Sequence, residues 1–352
     1  MESSARIRPP LAELGGGALP DWASYGVIAG SALLGAALLA AAGTLSVALL
    51  LVLTTVLSCS AIYIWSRLVE GSRRALDRLV TFLIVAAFGL ALIPLLSLLF
   101  EVVKRGLPGF DWEFLTTSSR GVIGGGGAAH AIVGTVVITG VAAAISVPIG
   151  IMAAIYLTEF EGGRLRRALT FFVDVMTGIP SIVAGLFAYA LFAIFFGPGI
   201  RLGVMGSAAL SVLMIPIVIR SSEEVLKIVP NQLREASYAL GTPKWKTIVR
   251  VVLPTAFAGL VTGVMIAVAR IIGETAPLLV TTGVVDSINT NPFEGRMQNL
   301  AVYAYSEYRT PGVMKQASYD RAWAAALTLI AIVMLLNLVA RLVYHRYKTE
   351  AH

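Results

Sequence analysis

Charged residues are scarce in this sequence. Asp, Glu, Lys and Arg make up 13% of its 352 residues, about half the share of an ordinary soluble domain. So few charges could not clothe a water-facing surface for a chain this long. Cysteine is almost missing: the single Cys59 sits in an apolar run, which excludes a disulfide framework and a cysteine metal site. No G-x-x-x-x-G-K-[ST] occurs, so this chain has no phosphate loop in which to cradle ATP. Zincin and nucleophile-elbow patterns are missing too, and no convergent acid, base and nucleophile can be assembled. The sequence reads as non-enzymatic.

What is present is apolar: 57% of the residues are hydrophobic. A bilayer core about 30 Å thick needs about 20 such residues in a helix. Eight stretches qualify, at 23–43, 45–65, 79–100, 130–158, 168–196, 203–220, 254–282 and 321–344. The first two form one tract weakly broken at Ala42-Gly43-Thr44, and a tight hairpin fits the bilayer better than one helix of double length. Pro94, Pro148, Pro180, Pro216 and Pro277 fall inside spans, where neighbouring helices can satisfy the freed backbone groups. The fold class expected is an all-α membrane protein of about eight transmembrane helices. Residues 1–22, with two prolines and Gly15-Gly16-Gly17, read as a disordered tail. Arg6 and Arg8 ahead of the first apolar run loosely imitate a cleaved leader, but the polar stretch is long and a second span follows at once, so that run is expected to stay.

The formal net charge is +7, and its placement favours lipid headgroups over nucleic acid. With both termini cytoplasmic, segments 1–22, 66–78, 159–167, 221–253 and 341–352 carry 17 of the 27 basic residues; 101–129, 197–202 and 283–321 carry eight. That two-to-one bias is the expected positive-inside asymmetry.

Segment 221–253 reads as two short helices meeting at a glycine elbow. Pro230 suits a first helical position, Leu233, Ala236, Tyr238 and Leu240 supply an apolar side, and Gly241 can close the helix in a left-handed cap. Thr242 and Pro243 open a second helix with Trp245, Ile248 and Val249 on its apolar side. Such an element either transmits a push from a soluble partner or simply lies on headgroups as an amphipathic loop. The residues alone leave both readings standing.

Arg270 lies about sixteen residues into the seventh span, where a charge costs a few kcal/mol unless it faces protein or water and has a partner. Glu274, four residues on, shares its helical face. The pair either locks one helix or lines a polar pathway, in which the guanidinium fork matches oxyanion geometry and the carboxylate hastens release. Arg220, at the inner end of the sixth span, is a second station or a snorkelling arginine paired with Glu223 or Glu224. Asp174 reads as structural, a helix-terminus or interhelical partner, and the glycine run 124–127 as a hinge. His130 has no second histidine nearby in sequence, so no metal site is expected. Loops 101–129 (Phe110, Trp112, Phe114) and 283–320 (Tyr303, Tyr305, Tyr308) are expected to form interfacial caps.

Glu235-Ala236-Ser237, three residues, Gly241 and then Leu253-Pro254 resemble the EAA loop of ABC importer permeases, with serine in place of the triplet's second alanine. More narrowly, the chain resembles the PstA-type permease of phosphate-specific ABC importers. That likeness rests on this loop and on Pro180-Ser181-Ile182-Val183-Ala184-Gly185-Leu186-Phe187, Ile215-Pro216-Ile217-Val218-Ile219-Arg220 and Ala269-Arg270-Ile271-Ile272-Gly273-Glu274-Thr275-Ala276-Pro277-Leu278-Leu279. The resemblance implies a six-helix permease core over 79–345, a coupling loop at 226–252 and an added hairpin at 23–66. Glu235, Ala236, Ser237, Tyr238, Leu240 and Gly241 would then contact an ATPase. Arg270, Glu274 and Arg220 would attend phosphate passage. The implied partners are a homologous second permease (PstC type), two ATPase subunits (PstB type) that bind ATP and Mg, and an external phosphate-binding protein (PstS type). No cofactor or metal is expected on this chain, and the setting is a bacterial or archaeal plasma membrane. Two alternatives stand beside it: a permease for another oxyanion such as sulfate or molybdate, and a gradient-driven anion transporter or channel working alone.

Overall fold

The computed structural model describes residues 19–20, 22–44, 46–120, 126–160 and 162–348. The first eighteen residues, and with them most of the expected disordered tail, lie outside that range, as do Gly124 and Gly125 of the proposed hinge. Among the described residues every regular element is a helix. They are α1 (Ala23–Ala41), α2 (Val47–Val69), α3 (Ser72–Gly106), α4 (Trp112–Thr116), α5 (Ala129–Glu159), α6 (Arg164–Thr177), α7 (Ser181–Phe196), α8 (Gly203–Ile228), α9 (Asn231–Ala239), α10 (Lys244–Thr247), α11 (Leu253–Ile271), α12 (Ala276–Thr281), α13 (Leu300–Arg309) and α14 (Lys315–Lys348). A π-helical turn, Ile248–Val252, joins α10 to α11. Seven described helices, counting Lys244–Ile271 as one, are long and apolar enough to cross a membrane; α6 with α7 makes an eighth if the bent pair is a single span. The chain is a multi-pass membrane protein.

The chain divides into two compact units, 1–99 and 100–352, with the division falling inside α3. In the first, α1 and α2 form the expected hairpin. Gly35 of α1 faces Leu50, Leu53 and Thr54 of α2, where even a Cβ would find only ordinary van der Waals contact. The hairpin base is closed by a polar knot: Glu70 accepts from Arg78 Nε and Nη2 (2.6 and 2.7 Å), Ser66 Oγ (2.7 Å) and the Leu19 amide (2.7 Å). The hydrogen bond from Arg78, above all, holds the Glu70 carboxyl down at about 2.

In the second unit α8 is central: 61% of its apolar window is buried, against 28% or less for the other spans. Lipid tails are as apolar as leucine, so such helices associate through close packing and interhelical hydrogen bonds rather than a hydrophobic drive. Ile138 and Ala142 of α5 meet Leu210, Met214 and Val218 of α8, with Ala267, Ile271 and Leu278 completing the core. Ser207 Oγ donates across to the Ile138 carbonyl at 3.0 Å.

Three sequence expectations need correction. The span 168–196 is not one helix: α6 and α7 meet at 109°, because Gly178 and Pro180 punctuate the chain and α6 carries its charges on one side. The span 254–282 stops at Ile271 and resumes at Ala276. The aromatic caps are partly core. Tyr303 and Phe114 are buried with Leu300, Ala128 and Ala324, and burial pushes the Tyr303 hydroxyl up to about 12; Trp112 and Tyr308 do remain exposed.

Candidate functional site

Two places concentrate polar chemistry in an otherwise apolar bundle. The first is the break after α11. The helix that opens at Lys244 passes through the π-helical turn and ends at Ile271, so Arg270, in the last turn of α11, lies about 24 Å from Pro254. Gly273 and Pro277 end it. A basic residue in the last turn is favourable there, because the unpaired carbonyls of the terminus carry partial negative charge. The Glu274 amide donates to the Ile271 carbonyl (3.1 Å), and Asn299 reaches the Glu274 carbonyl from the start of α13 (3.4 Å). Glu274 therefore sits in irregular backbone, not on a continuing helical face, and still forms an ion pair with Arg270. Its side chain is 12% exposed, whereas that of Arg270 is 64% exposed. Irregular backbone at membrane depth is tolerated only inside protein or along a water-lined cavity.

Packing explains how the sequence holds this break. Gly185 of α7 lies against Pro277: a Cβ there would meet the Pro277 Cα at 2.6 Å. Two of the family-like stretches, 180–187 and 269–279, are thus in direct contact.

A groove of about 1250 Å³ runs between α8, α11 and α14, lined in part by Ser221, Glu224, Thr262, Ile266, Asn337 and Arg341. Thr262 and Ile266 precede Arg270 by eight and four residues, so helical periodicity puts all three on one face of α11. Arg220 lies at a different level. Gly263 packs on Ser221, and Arg270 is seven residues beyond Gly263, about 10 Å along the axis. Arg220 has two acids at hand, Asp174 of α6 and Glu223 (3.0 Å), and Glu223 also accepts from Lys227 (2.7 Å). Arg220 and Arg270 are therefore not brought together. Asp174 makes the interhelical contact, from α6 to Arg220 of α8, while Glu223 pairs with Arg220 and Lys227 along α8 itself.

The second place is the elbow. α9 ends at Ala239 and Gly241 takes φ +74°, a conformation that costs an L-residue roughly 1–2 kcal/mol. Ser237 and Thr247 hydroxyls meet at 2.8 Å in a buried contact that ties α9 to α10. Pro230 and Pro243 occupy the N-cap positions, one residue earlier than expected, and no Thr242 side-chain cap forms. Glu235, Ala236, Tyr238 and Leu240 are exposed, with Leu240 and Trp245 presenting large apolar surfaces. Sequence reasoning missed the anchor. Arg234 donates to the Glu159 carboxylate (2.8 Å) and to the carbonyls of Leu226 (3.0 Å) and Val229 (2.6 Å), joining α5, α8 and α9. The signal was available: an arginine inside the elbow stretch and a glutamate at the end of an apolar span.

Among the described residues no cluster of three His, Cys, Asp or Glu side chains could hold a metal ion. His130 is buried edge-on against Tyr303, ring centroids 5.4 Å apart.

Residues 146–349 match the family model described as "Binding-protein-dependent transport system inner membrane component". A protein of Mycobacterium tuberculosis (strain ATCC 25618 / H37Rv) named "Phosphate transport system permease protein PstA 1" is 45% identical over 285 residues, covering 77% of this chain and 88% of its own. A Yersinia pestis protein named "Phosphate transport system permease protein PstA" is 37% identical over 284 residues, covering 79% and 93%. The solved structure of the MetNI methionine ABC transporter in inward-facing form aligns with TM-score 0.51 at 21% identity, covering 62% of this chain and 95% of that one. A bacterial alginate ABC transporter in complex with a pentasaccharide-bound periplasmic protein aligns at 0.54 and 15%, covering 78% and 96%. These two likenesses concern the fold.

Proposed function

This chain belongs to the family of binding-protein-dependent transport inner-membrane components, and from that premise we propose that it is the membrane-spanning permease subunit of an ATP-driven phosphate importer. The observation that carries this reading is Arg270: a guanidinium deep in a span, 64% exposed from its own chain, at the tip of a broken helix and beside one carboxylate. Its planar fork can hold two phosphate oxygens at once, and Glu274 competes for the same donors, so the anion is released as well as held. Arg220, already engaged by Asp174 and Glu223, serves as an inner station whose acids must yield before it can accept an anion. The groove along α11 supplies one wall of the pathway, and a homologous second permease of PstC type supplies the other.

The elbow faces the cytoplasm together with both termini. Its exposed Leu240, Tyr238 and Trp245 dock on ATPase subunits of PstB type, which bind ATP and Mg. A binding protein of PstS type delivers phosphate from outside. The support is the resemblance of Glu235-Ala236-Ser237 and Gly241 to the EAA motif, the anchoring of the elbow through Arg234 and the names of the relatives.

The test is reconstitution. In proteoliposomes the four-component complex should take up phosphate in strict dependence on ATP and binding protein, with sulfate uptake negligible. Preference for sulfate or molybdate would reassign the substrate. Gradient-driven uptake by the chain alone would replace the importer reading with that of a self-sufficient transporter.

A further inference from the structure

At the end of the bundle where α3 finishes and α14 begins, a pocket of about 580 Å³ is lined by Lys104, Arg105, Tyr308, Tyr319, Asp320 and Trp323, among others. It lies far along the chain from the Arg270 break and from the elbow, and neither needs it. The pocket is preformed: Gly109 sits so close to α14 that a Cβ would meet the Asp320 carbonyl oxygen at 2.9 Å. Its aromatic wall is tightly knit, with the Tyr308 ring 5.4 Å from Tyr319 and 6.4 Å from Trp323, the latter at right angles. Arg105 stacks over Trp323 at 5.3 Å and pairs with Glu101. Among the described residues Lys104 has no ion-pair partner and is exposed. The Asp320 carboxylate accepts from the Gln316 amide (2.9 Å) and retains free lone pairs.

Depth decides what such a pocket holds. Lys104 and Arg105 lie in the last turn of α3, while Tyr319, Asp320 and Trp323 lie in the first turns of α14; both helices are candidate spans. Tyrosine, tryptophan and basic side chains concentrate at this level because one end of each is apolar and the other is wet. Just below, Leu99, Phe100 and Val103 are exposed apolar side chains on α3, a surface for acyl chains.

The geometry points to a headgroup site for an anionic phospholipid. Lys104 holds the phosphodiester, and Asp320 accepts a hydrogen bond from a headgroup hydroxyl, as glycerol supplies and choline does not. The aromatic wall covers the glycerol backbone.

The experiment is native mass spectrometry of the full chain in zwitterionic detergent with dioctanoyl phosphatidylglycerol or phosphatidylcholine. One phosphatidylglycerol should be retained in preference to phosphatidylcholine, and Lys104→Gln should lower its retention about fivefold, the effect of one basic residue at a charged surface. Asp320→Asn should narrow the preference between the two lipids. Among the described residues Lys104 makes no ion pair and is exposed, so an unchanged gel-filtration profile is expected for its variant. Equal retention of both lipids, or no effect of Lys104→Gln, would overturn the site. Displacement of the lipid by millimolar inorganic phosphate would reassign it to the free anion and overturn the lipid reading.

Discussion

Arg234 and Arg270 each pair with a glutamate, and there the likeness ends. The Arg234 side chain is 14% exposed and its partner Glu159 3%, and donors on both sides of the fork are consumed by a carboxylate and two carbonyls from three helices. Arg270 is 64% exposed, with one carboxylate beside it. A guanidinium whose fork is used up by its own chain fixes the geometry of the elements it joins. One whose fork stays open can serve a ligand. The elbow is thus rigid at its root and apolar at its surface, while the α11 break is firmly packed behind and chemically open in front.

The sharpest way to break this contrast is Arg234→Ala. It leaves Glu159 buried without a cation, a change that costs about 3–5 kcal/mol when a buried pair loses one member. The melting temperature of the purified chain should fall, and Glu159→Gln in the same chain should recover much of the loss. Simple additivity of the two substitutions in a thermal-melt cycle would show that the pair is not coupled.

Arg270→Ala should instead spare the melt and remove transport. Two charge-assisted hydrogen bonds at roughly 1.5–3 kcal/mol each correspond to a hundredfold or greater loss of uptake, read with radiolabelled phosphate in proteoliposomes. Arg270→Lys keeps the charge without the fork and should recover only part of it. Near-normal uptake in the alanine variant would make Arg270 a helix lock like Arg234.

At Gly241 the expected effect is smaller, because the loop is at the surface. Valine at φ +74° is strained by roughly 1–2 kcal/mol, enough to reshape the elbow without unfolding the bundle. ATP hydrolysis by the assembled complex should lose its dependence on the binding protein. Retained coupling would mean that the elbow angle is not what the ATPase reads.

Most of the architecture was legible because hydropathy is a long-range pattern: twenty apolar residues must cross or be buried, whatever their neighbours. The α1–α2 hairpin and the glycine elbow follow from spacing, whereas the Arg270–Glu274 pair forms across the end of α11 rather than on the shared helical face that its spacing suggested. The breaks were harder. Gly273 followed by Pro277 is a helix-stop pattern, but a proline inside an apolar run also fits an unbroken span, and only the packing of Gly185 on Pro277 separates the two. Tyr303 shows the same limit from the other side. An aromatic in an outer loop reads as interfacial, and its burial depends on α13 folding back onto α5 and α14, contacts 165 residues apart in one instance, Leu300 to Thr135.

The hairpin offers the mildest test and a useful control on the argument from used and unused charge. Glu70, like Glu159, has its carboxylate fully engaged, by Arg78, Ser66 and the Leu19 amide. Its folded value, about 2, lies below its usual 4.5. The sign follows: the knot is intact above about 4.5, and its stabilisation is lost as pH falls through about 2. At neutral pH, Glu70→Gln should lower the melting temperature of the chain by a few degrees, and this difference from the parent should shrink below pH 4.5 and vanish near pH 2. Phosphate uptake at neutral pH should hardly change, because the pathway residues all belong to the second unit. A melting difference that is flat in pH would mean that the glutamine perturbs packing rather than charge, and the engaged carboxylate would then explain nothing about the hairpin's hold.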